Sequence, residues 1–310
     1  MILFVAMLFL LWFKGSAWAH TAAGDSILTG WHWRWDVGLV LILFGAFYLR
    51  GWIRLRKIGG EARLSQLLFY ALALGAIGGA LLSPVDELAS YLLIVHMVQH
   101  ELLIMVASPL ILLANPVPVL LWGLGASSRL QAASLLTRNS MIRQVRDLLG
   151  WMPVAWSVYV VNLWTWHYPP LYEAALRDPW IHDLEHILFF LTALLFWWPV
   201  IRPVSRPAAI QDAIRIFYLF LAATQDAVLS GVIALSSKIL YPHYEAALRL
   251  WDLTPRQDQI GGGLVMFGVG SLTYLIAILV LVNALLGAAK GERSTKRASG
   301  DGAEKVKGRI

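Results

Sequence analysis

The sequence predicts an all-α membrane protein, a polytopic bundle of about seven transmembrane helices, and three observations carry that prediction. Only 14% of the 310 residues are charged while 58% are hydrophobic, against the ~25% charge of an ordinary soluble domain. Apolar runs of roughly 18–25 residues recur along the chain, long enough to cross a hydrocarbon layer ~30 Å thick. The basic residues gather in alternate loops, as the positive-inside rule requires of a polytopic protein. Runs of this length in lipid are helices rather than barrel strands, because each backbone amide then finds its partner within its own segment.

The elements follow in order. Residues 1–19 form an apolar stretch ending in Ala17-Trp18-Ala19, a small-residue pattern read as a signal peptide cleaved before His20, with an uncleaved anchor as the alternative. Residues 20–34 are an outer N-terminal segment, and residues 35–286 form the transmembrane domain. Its first span, 35–52, is followed by Arg54, Arg56, Lys57 and Arg63. The second, 64–82, ends at the acidic Asp86 and Glu87, and the third runs over 88–114. Residues 127–148 carry Arg129, Arg138, Arg143 and Arg146 in an amphipathic pattern suited to the membrane surface. The fourth span, 152–166, precedes a loop with Glu173 and Asp178; the fifth, 182–201, meets Arg202 and Arg206. The sixth covers 213–235 and the last 260–286, before a Lys/Arg-rich tail, 287–310, expected to be a disordered cytoplasmic end. The loop charges place the N-terminus outside and the C-terminus in the cytoplasm, and an odd number of spans after signal removal agrees.

Composition also excludes. Cysteine is absent, which removes disulfides, thiolate metal sites and Cys nucleophiles. The formal charge of +6 lies in short loops and the tail, so nucleic acid is not an expected partner and the lipid bilayer is. No nucleophile stands beside a base, and Gly261-Gly262-Gly263 reads as close helix packing rather than a nucleotide loop. The chain is therefore not read as an enzyme. An internal echo, Tyr172-Glu173-Ala174-Ala175-Leu176-Arg177 and Tyr244-Glu245-Ala246-Ala247-Leu248-Arg249, suggests a duplicated pair of helices joined by a short interfacial helix.

The histidines carry the chemistry. On this topology all eight fall on the outer side: His20 and His32 before the first span, His96 and His100 in the third, His167 closing the fourth, His182 and His186 opening the fifth, and His243 in a later outer loop. His96 and His100 are four apart, as are His182 and His186. Positions i and i+4 share one helix face, so each pair can turn two imidazoles toward one ion. Asp183 and Glu185 are candidate acceptors for imidazole N–H groups. The competing reading is hydrogen bonding between helices. Spacing leaves copper, zinc and iron open, and a bis-His haem as well. A freed α-amine at His20 would add a further chelating group.

At this point the residues resemble a family. His96-Met97-Val98-Gln99-His100-Glu101-Leu102-Leu103, then Ala107-Ser108-Pro109-Leu110 and Asn115-Pro116, are similar to the signature helix of polytopic CtaG-type cytochrome c oxidase assembly factors. Leu171-Tyr172-Glu173-Ala174-Ala175, His182-Asp183-Leu184-Glu185-His186, Phe196-Trp197-Trp198-Pro199 and Asp258-Gln259-Ile260-Gly261-Gly262-Gly263 with Met266 extend the resemblance over most of 35–286. It implies assembly of a haem–copper oxidase at the bacterial plasma membrane, with copper supply as the task. Oxidase subunits and an extracytoplasmic copper chaperone are the implied partners. On this reading His96, His100, His182 and His186 are the metal ligands. Met97, His167, His243 and Met266 are additional candidates, and Asp258 and Gln259 would line the same mouth. The alternatives are a haem-carrying electron-transfer protein and a copper permease or resistance protein, for which Asn162, Thr224, Gln225, Asp226 and Ser230 would line a path.

Overall fold

The computed structural model of the chain describes residues 34–138, 140–201 and 208–307. The expected signal peptide, His20 and His32 lie outside them. The described residues form helices and connecting turns: α1 Trp35–Lys57, α2 Leu64–Leu81, α3 Pro84–Ala89, α4 Leu93–Glu101, a π-helical turn Leu102–Ala107, α5 Ser108–Leu113 and α6 Pro116–Gly123. Then come α7 Ala126–Arg138, α8 Ser140–Leu149, α9 Met152–Trp166, α10 Pro169–Arg177, α11 Pro179–Ile201, α12 Ala208–Leu235, α13 His243–Ala246 and α14 Pro255–Lys307.

Six helical stretches are long and apolar enough to cross a membrane: Trp35–Lys57, Leu64–Leu81, Leu93–Leu113, Pro179–Ile201, Asp212–Leu235 and Pro255–Gly287. The fourth expected span is α9, whose 15 residues reach about 22 Å at 1.5 Å per residue, so it does not count among the six. Polarity is distributed as lipid demands. Ile42 and Phe217 stand 69% and 61% exposed on the outside of the bundle, while His96, Gln99, Glu101, Glu185 and Asp226 are buried within it.

The third span begins later than hydropathy suggests. Ser83 accepts a hydrogen bond from the Val85 amide at 3.1 Å and starts α3 as a separate short helix with Pro84 in its first turn. The chain is extended at Leu92, and α4 opens at Leu93. The first amides of a helix have no partner within it. Here Leu93 and Ile94 donate to the two carboxylate oxygens of Asp258, at 2.8 and 3.0 Å, so the cap comes from the start of α14.

The π-helical turn also has an identifiable cause. The Ser108 amide donates to the Leu103 carbonyl, one residue further back than in an α-helix. In that register the Ile104 carbonyl would accept from residue 109, which is proline and has no amide hydrogen. The Trp197 indole N–H donates to it instead, at 3.2 Å.

Glycine sets the closest helix approaches. α12 packs along α14, α14 along α4, and α1 against α6. Gly261, Gly262 and Gly263 meet Ile94, Leu93 and Ala234 with no room for a Cβ, in keeping with the packing role expected of them. At Gly51 a Cβ would run into the Val119 carbonyl oxygen, a backbone atom of α6. Gly51→Ala is therefore expected to destabilise the protein by about 1–3 kcal/mol, read as a lowered Tm in detergent. Gly75→Ala, whose Cβ would meet nothing within 4 Å, is the matched control and should leave Tm unchanged or slightly raised.

Candidate metal centre

Seated on the Asp258 cap, α4 presents His96 and His100 one turn apart, with ring centroids 4.4 Å from each other. α11 presents His182 and His186 in the same way, 4.2 Å apart. The two pairs meet across the helix interface: His96 lies 5.1 Å from His182, His100 5.3 Å from His186, and His96 6.2 Å from His186. The Nε2 atoms of His96 and His182 are 3.4 Å apart. Two imidazole nitrogens on one tetrahedral ion, each bonded at ~2.0–2.1 Å, stand about 3.3 Å from each other. Glu185 completes the group, its Oε1 3.8 Å from His100 Nε2. Two donor triads result, His96/His182/His186 and His96/His100/Glu185, with the donor atoms of each within 4.8 Å of one another.

Hydrogen bonds fix which nitrogen of His96 is available. Tyr244 donates its hydroxyl hydrogen to the Ala89 carbonyl at 3.0 Å, since a carbonyl can only accept. Its oxygen then accepts from His96 Nδ1–H at 2.7 Å. His96 Nε2 is left with a lone pair facing the cluster, the arrangement that orients a metal-binding imidazole. Burial holds the Tyr244 phenol well above its ordinary range, so it stays a donor. The deeper atoms lack partners altogether. Both ring nitrogens of His100, Nε2 of His186 and both oxygens of Glu185 are buried without a hydrogen bond, which is rare for buried polar atoms and points to a missing partner.

The remaining expected residues are placed as follows. His167 donates Nδ1–H to the Leu163 carbonyl at 2.8 Å, leaving its Nε2 buried and unbonded with its ring 6.1 Å from His100. Burial lowers its pKa to about 4, so at neutral pH it too offers a lone pair. His243 places Nε2 2.9 Å from the Ser90 carbonyl, beside the cluster rather than in it. Met97 turns toward the last helix at Gly262, and Met266 is buried in the apolar core. Asp258 is bound to the α4 amides. Gln259 accepts from the Leu240 amide at 2.7 Å and donates to the Ile233 and Lys238 carbonyls, pinning the end of α12. Asp183 is engaged by Arg34 at 2.5 Å.

Sequence reasoning treated Glu185 only as an outer acceptor and overlooked the tyrosines. The echo was the available signal for the latter. α10 stands between α9 and α11 as α13 stands between α12 and α14, and the two copies bring the hydroxyls of Tyr172 and Tyr244 to 3.2 Å beside His96.

The family model described as cytochrome c oxidase caa3 assembly factor matches residues 46–287. Among curated relatives, an uncharacterized protein of Mycobacterium leprae is 25% identical over 255 residues, covering 81% of this chain and 39% of the relative. One of Mycobacterium bovis is 25% identical over 260 residues, covering 83% of this chain and 39% of the relative. The chain spans about two fifths of the length of these relatives. No solved structure matches it.

Gln99, on the turn between the two α4 histidines, donates to Asp86 at 2.7 Å. Burial pushes the Asp86 carboxyl up to about 6 from 3.8. The folded state then holds this proton more tightly than the unfolded chain, so stability falls as pH rises through that interval and levels off above it. Asp86→Asn still accepts from Gln99 and should raise Tm at neutral pH, with the advantage gone near about pH 4. An Asn variant no more stable than wild type at neutral pH would contradict this account.

Proposed function

We propose that this chain, which belongs to the cytochrome c oxidase caa3 assembly factor family, takes up copper through His96, His100, His182 and His186 and aids its delivery to a haem–copper oxidase. The observation that carries the reading is the convergence of four imidazoles and Glu185, in which both ring nitrogens of His100, Nε2 of His186 and both oxygens of Glu185 are buried without a hydrogen bond. Imidazole nitrogen suits copper in either oxidation state, and the mixed donor set without thiolate suits cargo that must be handed on. The positive-inside orientation puts this end of the bundle on the outer face of the bacterial plasma membrane. A copper ion brought there by an extracytoplasmic chaperone would reach the cluster without crossing the bilayer and could be passed to oxidase subunits packed alongside. The role is assembly, with no chemical turnover assigned to the protein itself.

The geometry favours a bare ion over haem. The histidine rings pack directly against each other, most of them edge to face, which suits a single ion better than a macrocycle held between two rings. Metal analysis and a visible spectrum of the purified protein test this directly. Wild type is expected to hold copper near stoichiometrically and His96→Ala/His100→Ala to lose it, with no haem band in either. A haem band, or no copper uptake when copper is offered, would overturn the proposal.

Tyr244→Phe provides a finer test. It removes the acceptor that holds His96 in its Nδ1–H form, and copper affinity is expected to fall about 10–100-fold, with Tm lowered only slightly. Unchanged affinity would mean that the tyrosine does not orient the ligand.

A further inference from the structure

The donor atoms of the cluster divide in two. His96, His182 and His186 form one triad, and His96, His100 and Glu185 the other, each with its donor atoms within 4.8 Å of one another. Only His96 belongs to both. The triads differ in burial and in chemistry. The first is all imidazole and includes His182, which is half-buried where every other member of either triad is buried. The second joins two imidazoles to a carboxylate, and His96, His100 and Glu185 are 0%, 2% and 0% exposed. The first is thus the outer triad, reachable from solvent through His182, and the second the inner one.

His96 cannot serve both at once. Its Nδ1–H donates to the Tyr244 hydroxyl oxygen at 2.7 Å, and that hydroxyl donates to the Ala89 carbonyl at 3.0 Å. A neutral imidazole protonated on one nitrogen has one lone pair, here on Nε2. That lone pair binds one ion, at ~2.0–2.1 Å. While Tyr244 holds this tautomer, the two triads are alternative positions for a single ion. The outer position is already spaced for it, with Nε2 of His96 and His182 3.4 Å apart. In the inner one, His100 Nε2 and Glu185 Oε1 are 3.8 Å apart. Both nitrogens of His100 and both oxygens of Glu185 are buried without a hydrogen bond, so nothing offsets their lost hydration until an ion binds there.

We propose that the cluster is a relay with two stations for one copper ion, which arrives at His96, His182 and His186 and settles at His96, His100 and Glu185. The step between them is a ligand exchange without oxidation or reduction. Bonds to His182 and His186 break as bonds to His100 and Glu185 form, and the bond to His96 Nε2 is kept as the pivot. Imidazole and carboxylate together suit Cu²⁺ at the inner station. The reverse exchange brings the ion back to the half-buried His182 for release. This inference rests on the copper reading and adds to it the order in which the ligands act.

Cu²⁺ is the probe, because pulsed electron paramagnetic resonance counts the imidazoles bound to it. The purified full-length protein in detergent is loaded with Cu²⁺ alongside Glu185→Gln and His182→Ala, with thermal unfolding checked for each. Wild type is expected to bind one ion with two imidazoles. Glu185→Gln should bind it at least about tenfold more weakly and with three imidazoles, a count that rises as a ligand is removed. His182→Ala should load more slowly while keeping the count of two. If Glu185→Gln does not fold, His100→Asn replaces it, since it removes the same station and should also give three. Two ions in wild type, four imidazoles on one ion, or a count unchanged when the inner station is removed would each overturn the relay while leaving copper binding in place. No copper bound by wild type would overturn the relay together with the reading beneath it.

Discussion

The Asp258 carboxylate, bound to the amides of Leu93 and Ile94, fixes where the third span begins and thereby the facing of the two histidines that follow. A helix that starts at the edge of a bilayer brings bare N–H groups into a medium that cannot solvate them. The chain before it is extended and supplies no side-chain cap. An acidic side chain from the last helix satisfies two of these groups and complements the helix dipole. His96 and His100 follow at fixed angles from that start and so meet His182 and His186. The histidine cluster therefore depends on contact between the third span and the last, although the last span contributes no histidine to it.

Around this junction the structure works by exclusion of alternatives. Large apolar side chains turn outward, where lipid replaces water, and the polar groups turn inward, where each must find a partner or a ligand. Glycines let α1 meet α6 and α14 meet α4 and α12 at backbone distance. The tyrosines of the two echoed segments close over His96 and dictate its protonated nitrogen. Most polar atoms at this end are consumed by such contacts. Among the described residues, the buried side-chain atoms left over at this end belong to Gln99, His100, His167, His186 and Glu185.

Much of this was legible in the sequence. Hydropathy and composition carried the fold class, and the i, i+4 spacing carried the two histidine pairs, since both depend only on local periodicity. The start of the third span was not legible. Leu88–Leu92 is apolar enough to extend the run, and the capping carboxylate lies 165 residues from Leu93 in sequence. Asp183 and Glu185 are two apart on one helix and so point different ways. One meets Arg34 and the other meets His100, a difference that only the facing helices decide. Asp258 and Gln259 are expected to line the mouth only through the family resemblance, and both are bound to backbone partners. Gly261-Gly262-Gly263 could be read correctly because small residues in a membrane helix have few other uses.

The π-helical turn has a consequence for how this span can change. A π turn accommodates about one residue more than an α-helical turn, and one residue is worth about 100° of rotation. The histidine-bearing half of the span and the half from Ser108 onward are thus indexed separately, with Trp197 bridging the carbonyl left at the seam. A single inserted or deleted codon within Leu102–Ala107 would re-index one half against the other while both ends keep their caps. The span resembles a shaft with a coupling in its middle more than a rigid rod.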